Sequence, residues 1–172
     1  MEAATIRHLT ADDAPAYAVL RREMLRDSPL AFAASESTDV AIDPAKVAQR
    51  LAEPGVVIVG AFGGGALVGV ASLMRQPHPK MAHRAYVYGV YVTPSWRGRG
   101  VGEGVMRAAI DAARAWPDVD SIGLSVSAAT VHARRLYERL GFAAWGVEPG
   151  ALRWEGRAYD EVHMCLQFRP PS

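Results

Sequence analysis

Apolar positions recur at two spacings along this chain, and the switches between them mark out its elements. Thr5 to Leu9 is a short strand candidate. Thr10 stands where a helix cap belongs, with Asp12 and Asp13 in the first turn, where a helix N-terminus favours negative charge. Ala14, Tyr17, Ala18, Leu20, Met24 and Leu25 then recur at helical spacing as far as about Asp27. Pro15 falls early enough to be tolerated. Leu30 to Val40 has no clean period and reads as a connection that can lie over a pocket. Asp43 and Pro44 make an N-cap and first-turn pair opening a short helix over Ala45 to Leu51, closed by Glu53-Pro54-Gly55.

Period two then takes over. Val56 to Phe62 is a strand, Gly63-Gly64-Gly65 a hairpin turn, and Ala66 to Met74 the returning strand, with Gly69 marking a bulge or a close backbone approach. Ala82 to Val92 is a long strand. Strict alternation puts Tyr86, Tyr88, Val90 and Val92 on one face and Val87, Gly89 and Tyr91 on the other. A helix follows from about Gly100 to Ala115, burying Val101, Val105, Ala109, Ala112 and Trp116. Ser121 to Val126 is a strand. Ser127 can cap a helix from about Ala129 to Leu140, with Gly141 as its C-cap. Phe142 to Val147 is a strand, Glu148 to Trp154 a linker, and Ala158 to Phe168 the last strand. The order β-α-α-β-β-β-α-β-α-β-β predicts an α/β fold, a mixed central sheet flanked by helices on both faces, and excludes a sandwich or a bundle.

The stretch Val90 to Val105 joins the central strand to a helix through Arg97, Gly98, Arg99, Gly100, Val101 and Gly102. A helix start offers unpaired N–H groups and partial positive charge, glycines admit close approach, and arginines reach phosphate. A Walker loop needs Lys-Ser or Lys-Thr after the glycines, and none is present. The glycines at 98, 100, 102 and 104 alternate, which is not the dinucleotide fingerprint.

R-x-x-G-x-G at Arg97 to Gly102, behind V-Y-V-T-P, resembles the acetyl-CoA pyrophosphate loop of the GCN5-related N-acetyltransferase (GNAT) superfamily. A-R-R-L-Y-E-R-L-G-F, Ala133 to Phe142, is similar to a second signature of that superfamily, in the right order with one strand between. The resemblance spans about residues 5 to 168. It implies acetyl-CoA as co-substrate, amides of Gly98 to Gly102 on the pyrophosphate, and Gly104 as a site of close helix packing. It also implies backbone groups of Tyr91 and Val92, or Val90 on the alternative register, along the pantetheine arm. Thr130 stands where the superfamily usually has Asn, three residues before Ala133, so this contact to the arm is replaced or weakened. Tyr137 is implied to lie beside the CoA sulfur as general acid; taken without the resemblance, it is a helix-face tyrosine whose ring packs in the core. The ending, with E-P-x-A-L and Y-D-E-x-H-M, resembles one bacterial branch of the superfamily, which implies that Glu148, Tyr159, Asp160, Glu161 and His163 shape the acceptor side or a subunit contact.

The base is not legible. The central strand has no glutamate and offers Tyr86 and Tyr88 instead; Glu148 and His163 are the leading candidates, with Glu36, Glu161 and His83 behind them. Each is equally readable as a solvated or structurally satisfied group.

Composition narrows the picture. The chain has 172 residues, half of them apolar and 22% charged, as expected of one globular domain. A net charge of +1 argues against nucleic acid as partner. No apolar run of about 18 residues or signal-like N-terminus is present, so a cytoplasmic protein with no membrane association is expected. The lone cysteine, Cys165, reads as a small buried hydrophobe. His78, His83, His132 and His163 lack ligand spacing, so no metal is expected. The expectation is acetyl transfer by direct attack to a primary amine of a small molecule or peptide N-terminus, with a possible homodimer through the apolar ending. The rival is a catalytically silent acyl-CoA-binding module, which would keep Arg97 to Gly102 without needing Tyr137 or a base.

Overall fold

Seven strands share one sheet, in the order β1-β2-β3-β4-β5-β7-β6, in a computed structural model that describes residues 3–168. The strands are β1 (Thr5–His8), β2 (Val56–Gly63), β3 (Ala66–Arg75), β4 (Arg84–Val92), β5 (Ser121–Ser127), β6 (Ala143–Trp154) and β7 (Arg157–Gln167). The helices are α1 (Ala14–Asp27), α2 (Pro44–Leu51), α3 (Val101–Arg114) and α4 (Val131–Arg139). Every pairing is antiparallel except β4 with β5.

Both faces of the sheet are covered, so its central strands are apolar on both sides. Val59, Ala61, Leu73 and Val87 pack on one face against Val105, Met106 and Ala109 of α3 and Tyr137 of α4. Ile58, Val70 and Tyr91 pack on the other against Tyr17, Leu20 and Met24 of α1 and Val47 of α2. Side chains such as Met24, Leu73, Met106 and Ile122 are fully enclosed; each such side chain gains about 1.5–3 kcal/mol by leaving water. Gly69 lets α3 come close to the sheet: a Cβ there would meet Val101 Cγ1 at 2.8 Å. Gly104 makes the same allowance for Ile6 of β1. Among the described residues, no helix is long and apolar enough to cross a membrane.

Four expectations are corrected. The alternation along β4 is interrupted by a bulge in which Gly89, at φ +60°, and Val90 together oppose Ala71. Val87, Val90 and Val92 therefore share the α3–α4 face, and Tyr91 joins Tyr86 and Tyr88 on the α1–α2 face. The stretch from Glu148 to Trp154 is strand, not linker. It continues β6 at the sheet edge and absorbs Pro149-Gly150-Ala151 as a bulge, where the Gly150 N–H donates to Asp160 Oδ1 at 2.8 Å. Helix α4 begins at Val131 with Thr130 as N-cap; Ser127 instead closes the turn before it, accepting from the Ala129 N–H at 3.3 Å. Finally, in α3 the buried stripe includes Met106, Ile110 and Ala113 and leaves Ala112 half-buried; Trp116, also half-buried, lies beyond the helix end.

Candidate functional site

The sheet forks at its centre. Strands β4 and β5 pair only at Arg84–Ser121, Ala85–Ile122 and Tyr86–Gly123, and then part. Beyond the fork, the facing edges of both strands line a cleft of about 1870 Å³ that also takes in the loop before α3, one side of α4, and parts of α1 and α2. The Thr93 N–H donates to the Val68 carbonyl at 2.9 Å. By the alternation of an antiparallel ladder, the backbone groups of Tyr91 then aim at Val70 and those of Val92 aim into the fork. Of the three residues expected along the pantetheine arm, Val92 is thus presented to the cleft and Tyr91 is committed to β3; Val90 lies in the bulge between.

The loop end of the cleft is built from backbone. Gly98 and Gly100 adopt φ of +72° and +77°, and Gly100 is the N-cap of α3 without any side-chain cap. Helical bonding starts with the Gly104 N–H on the Gly100 carbonyl at 2.9 Å. Among the described residues, the amides of Gly98, Arg99, Gly100, Val101, Gly102 and Glu103 donate to nothing. Six successive free N–H groups at a helix start form a cradle for an anion. Arg97 is occupied elsewhere: its Nε donates to the Val92 carbonyl at 2.9 Å and its Nη2 pairs with Asp27 at the end of α1. It fastens the loop to β4 and α1. Arg99 lies over the Trp96 ring at 4.8 Å.

Thr130, the N-cap of α4, and Ala133 and Tyr137 within the helix line the cleft wall. The Tyr137 ring is 7% exposed and packs edge-on against Phe142 at 6.1 Å. Burial pushes its hydroxyl up to about 12, which holds it protonated near neutrality. Its ring packs in the core, and burial alone, with no hydrogen-bond partner among the described residues, shifts its hydroxyl.

The opposite end is polar and aromatic. Tyr86 lies across β5, where only a glycine leaves room: a Cβ on Gly123 would sit 3.2 Å from Tyr86 Cδ2. The Tyr86 hydroxyl donates to Ser125 Oγ at 3.0 Å, and Tyr88 Oη accepts from Arg50 at 3.3 Å. Arg21 pairs with Asp39 at 2.6 Å under the loop that precedes α2. Sequence reading missed Ser125, Arg21, Asp39 and Arg50, because serines in strands and arginines on helices carry no signal until their partners are known.

Of the base candidates, Glu161 lines the cleft, while Glu148 and His163 do not. His163 Nε2 lies 3.2 Å from Glu148 Oε2, and the Trp145 ring covers the imidazole at 5.3 Å. Spacing along the chain showed no ligand set, but the pairing of β6 with β7 brings polar atoms of Glu148, Glu161 and His163 within 4.8 Å of one another. The hydrogen bond joins His163 to Glu148, and Glu161 stands beside the pair. Glu36 is held by Arg26, and His83 precedes β4 at the end away from the fork. Cys165 is half-buried, and burial raises its thiol pKa.

A family model described as the acetyltransferase (GNAT) family matches residues 17–142. The chain belongs to the GNAT family. One GNAT relative, the N-alpha-acetyltransferase RimI of Mycobacterium tuberculosis (strain ATCC 25618 / H37Rv), is 32% identical over 114 residues, 66% of this chain and 68% of that one. Two solved structures share the fold. The ribosomal-protein-alanine N-acetyltransferase of Brucella melitensis matches with a TM-score of 0.83 at 24% identity, over 95% of this chain and 99% of that one. The yncA protein of Salmonella typhimurium, solved with its cofactor acetyl-CoA, matches with a TM-score of 0.85 at 22% identity, over 99% of this chain and 97% of that one.

Proposed function

We propose that this GNAT protein moves an acetyl group from acetyl-CoA to a primary amine by direct attack in a ternary complex. The observation that carries the reading is the run of six unpartnered amides at the start of α3, opening onto a forked sheet with Tyr137 on the wall. The amides of Gly98 to Gly102 take the pyrophosphate, with Arg99 adding charge at the rim and Arg97 holding the loop in place. The exposed Val92 edge takes the pantetheine arm past Thr130 and Ala133, and its N–H polarises the thioester carbonyl. Tyr137 protonates the departing thiolate, a role suited to a hydroxyl kept neutral by burial.

The amine enters from the Tyr86–Tyr88 end, where Glu161 meets it and the His163–Glu148 pair receives the proton. The name of the 32%-identical relative puts peptide N-termini first among acceptors to try. The exposed Trp145, Val147 and Trp154 of the edge strand β6 are the surface a second copy would use; Trp154→Arg is expected to lower the mass seen by light scattering, and an unchanged monomer in both forms refutes that contact.

The test is thiol release from acetyl-CoA with an alanyl tripeptide, lysine amide and benzylamine. Amine-dependent release is expected, falling on the order of 10²-fold in Tyr137→Phe with little change in KM. Tight acetyl-CoA binding without release to any amine would support the silent module instead.

A further inference from the structure

The acceptor end holds a line of hydroxyls that the reaction outlined so far leaves unused. Strand β4 has no carboxylate, and the His163–Glu148 pair does not itself line the cleft. Between them stand Tyr86 and Ser125, both at the cleft surface and joined at 3.0 Å. Ser125 is the register partner of His163 across β5 and β7, so their side chains stand side by side on one face. Glu148 closes the row from β6.

We propose that Tyr86 and Ser125 form a hydroxyl relay that carries the acceptor's proton sideways across the sheet to His163 and Glu148. This rests on the acetyltransferase reading. The bond directions suit it. Tyr86 donates to Ser125, and with the His163 Nε2–H donated to Glu148, Nδ1 keeps a lone pair free to accept. The ammonium gives its proton to Tyr86 Oη as the Tyr86 proton passes to Ser125 Oγ. In the same concerted shift the Ser125 proton passes to one bridging water and a proton of that water passes to His163 Nδ1. The amine is left neutral with its lone pair free, both hydroxyls are restored, and the charge ends on an imidazolium beside the Glu148 carboxylate, exposed for release to solvent.

The geometry around the row is specific to this task. Gly123 supplies the gap that lets the Tyr86 ring cross β5, and Trp145 fixes the imidazole plane. The charged or titratable groups facing His163 are Glu148 on β6 and Glu161 on its own strand; β5 presents serine, and the Pro29–Ala31 turn packed over β5 and β6 brings no titratable side chain.

The experiment compares kcat/KM against pH for wild type, Tyr86→Phe, Ser125→Ala, Ser125→Thr, the Tyr86→Phe/Ser125→Ala double variant and His163→Asn. The acceptor is whichever of the alanyl tripeptide, lysine amide or benzylamine turns over fastest, and acetyl-CoA affinity serves as the check on folding. The relay predicts losses of roughly 10²-fold near neutrality in the Phe, Ala and Asn variants. It also predicts a double variant no worse than either single one, and recovery in Ser125→Thr, which keeps the hydroxyl. With an α-amine, the losses shrink at about pH 9.5, where that amine arrives already neutral. Losses of equal size at every pH, or multiplicative losses in the double variant, would overturn the relay while leaving the transferase standing. A wild type that binds acetyl-CoA but acetylates none of the three amines would overturn the transferase reading itself, and the relay with it.

Discussion

Gly69→Ala probes how the anion cradle is held in place. The new Cβ would lie 2.8 Å from Val101 Cγ1 and 3.3 Å from the Tyr91 carbonyl oxygen. Carbons in contact prefer about 3.5–4.0 Å, so the first approach is short by roughly 1 Å. The carbonyl is backbone and cannot retreat, and a β-branched valine in a helix has one favoured rotamer. The strain must therefore lift the first turn of α3, whose amides form the cradle. Overpacking of this kind costs about 1–3 kcal/mol. Each 1 kcal/mol that reaches the cradle weakens acetyl-CoA binding roughly 5-fold.

Val101→Ala removes the clashing atom. Alone it costs about 1.6 kcal/mol, taking ~0.8 per buried carbon for the two methyls lost. Combined, the two changes should cost less than their sum by about 1–2 kcal/mol, because the clash exists only when both atoms are present. Urea unfolding followed by tryptophan fluorescence measures the three variants, and a titration of acetyl-CoA measures the cradle. Simple additivity of the two costs, or a Gly69→Ala protein with wild-type stability and affinity, would refute the account of why glycine stands there.

Two further outcomes are expected. Asp27→Asn should raise the KM for acetyl-CoA few-fold by cutting the tie between loop and α1, and Arg97→Ala should raise it at least as much, since it also cuts the tie to the Val92 carbonyl; adding Asp27→Asn to Arg97→Ala should cost nothing more, and a further loss in the double variant would refute the pairing. In the second, Asp13 is held down at about 2 by its hydrogen bonds from Arg7, with further help from the Thr10 N–H. Its folded value lies below its ordinary 3.8, so its contribution to stability is present above that value and lost as pH falls through about 2. Urea midpoints between about pH 5 and pH 2 should therefore fall less steeply in Asp13→Asn than in wild type, and parallel curves would show that the pair carries no such linkage.

The order of strands and helices was legible because period two and period 3.6 alternate cleanly and glycine or proline separates most runs. The bulge was not. Tyr86 to Val92 is apolar on both faces, so inserting one residue leaves no polar side chain visibly out of place, and only the left-handed Gly89 records it. The long β6 was hidden for the opposite reason: Pro149 and Gly150 are strand breakers everywhere except at an edge or a bulge, and edge position is a property of the finished sheet. The loop glycines could be located from sequence, since the free amides depend on local chain geometry. The partners of Arg97 and His163 could not. Asp27 is 70 residues from Arg97, and Glu148 meets His163 only because β6 returns along β7.

The fork also divides the labour of holding the molecule together. Three rungs join a four-stranded blade to a three-stranded one, so hydrogen bonding contributes little across the seam. What spans it is oily packing: Val87 and Ala85 on one side and Ile122, Leu124 and Met164 on the other belong to a single cluster roofed by α3 and α4. A split sheet glued by side chains can be retuned one blade at a time. Replacements along β6 and β7 can reshape their end of the cleft while the glycine loop on the other blade stays unchanged.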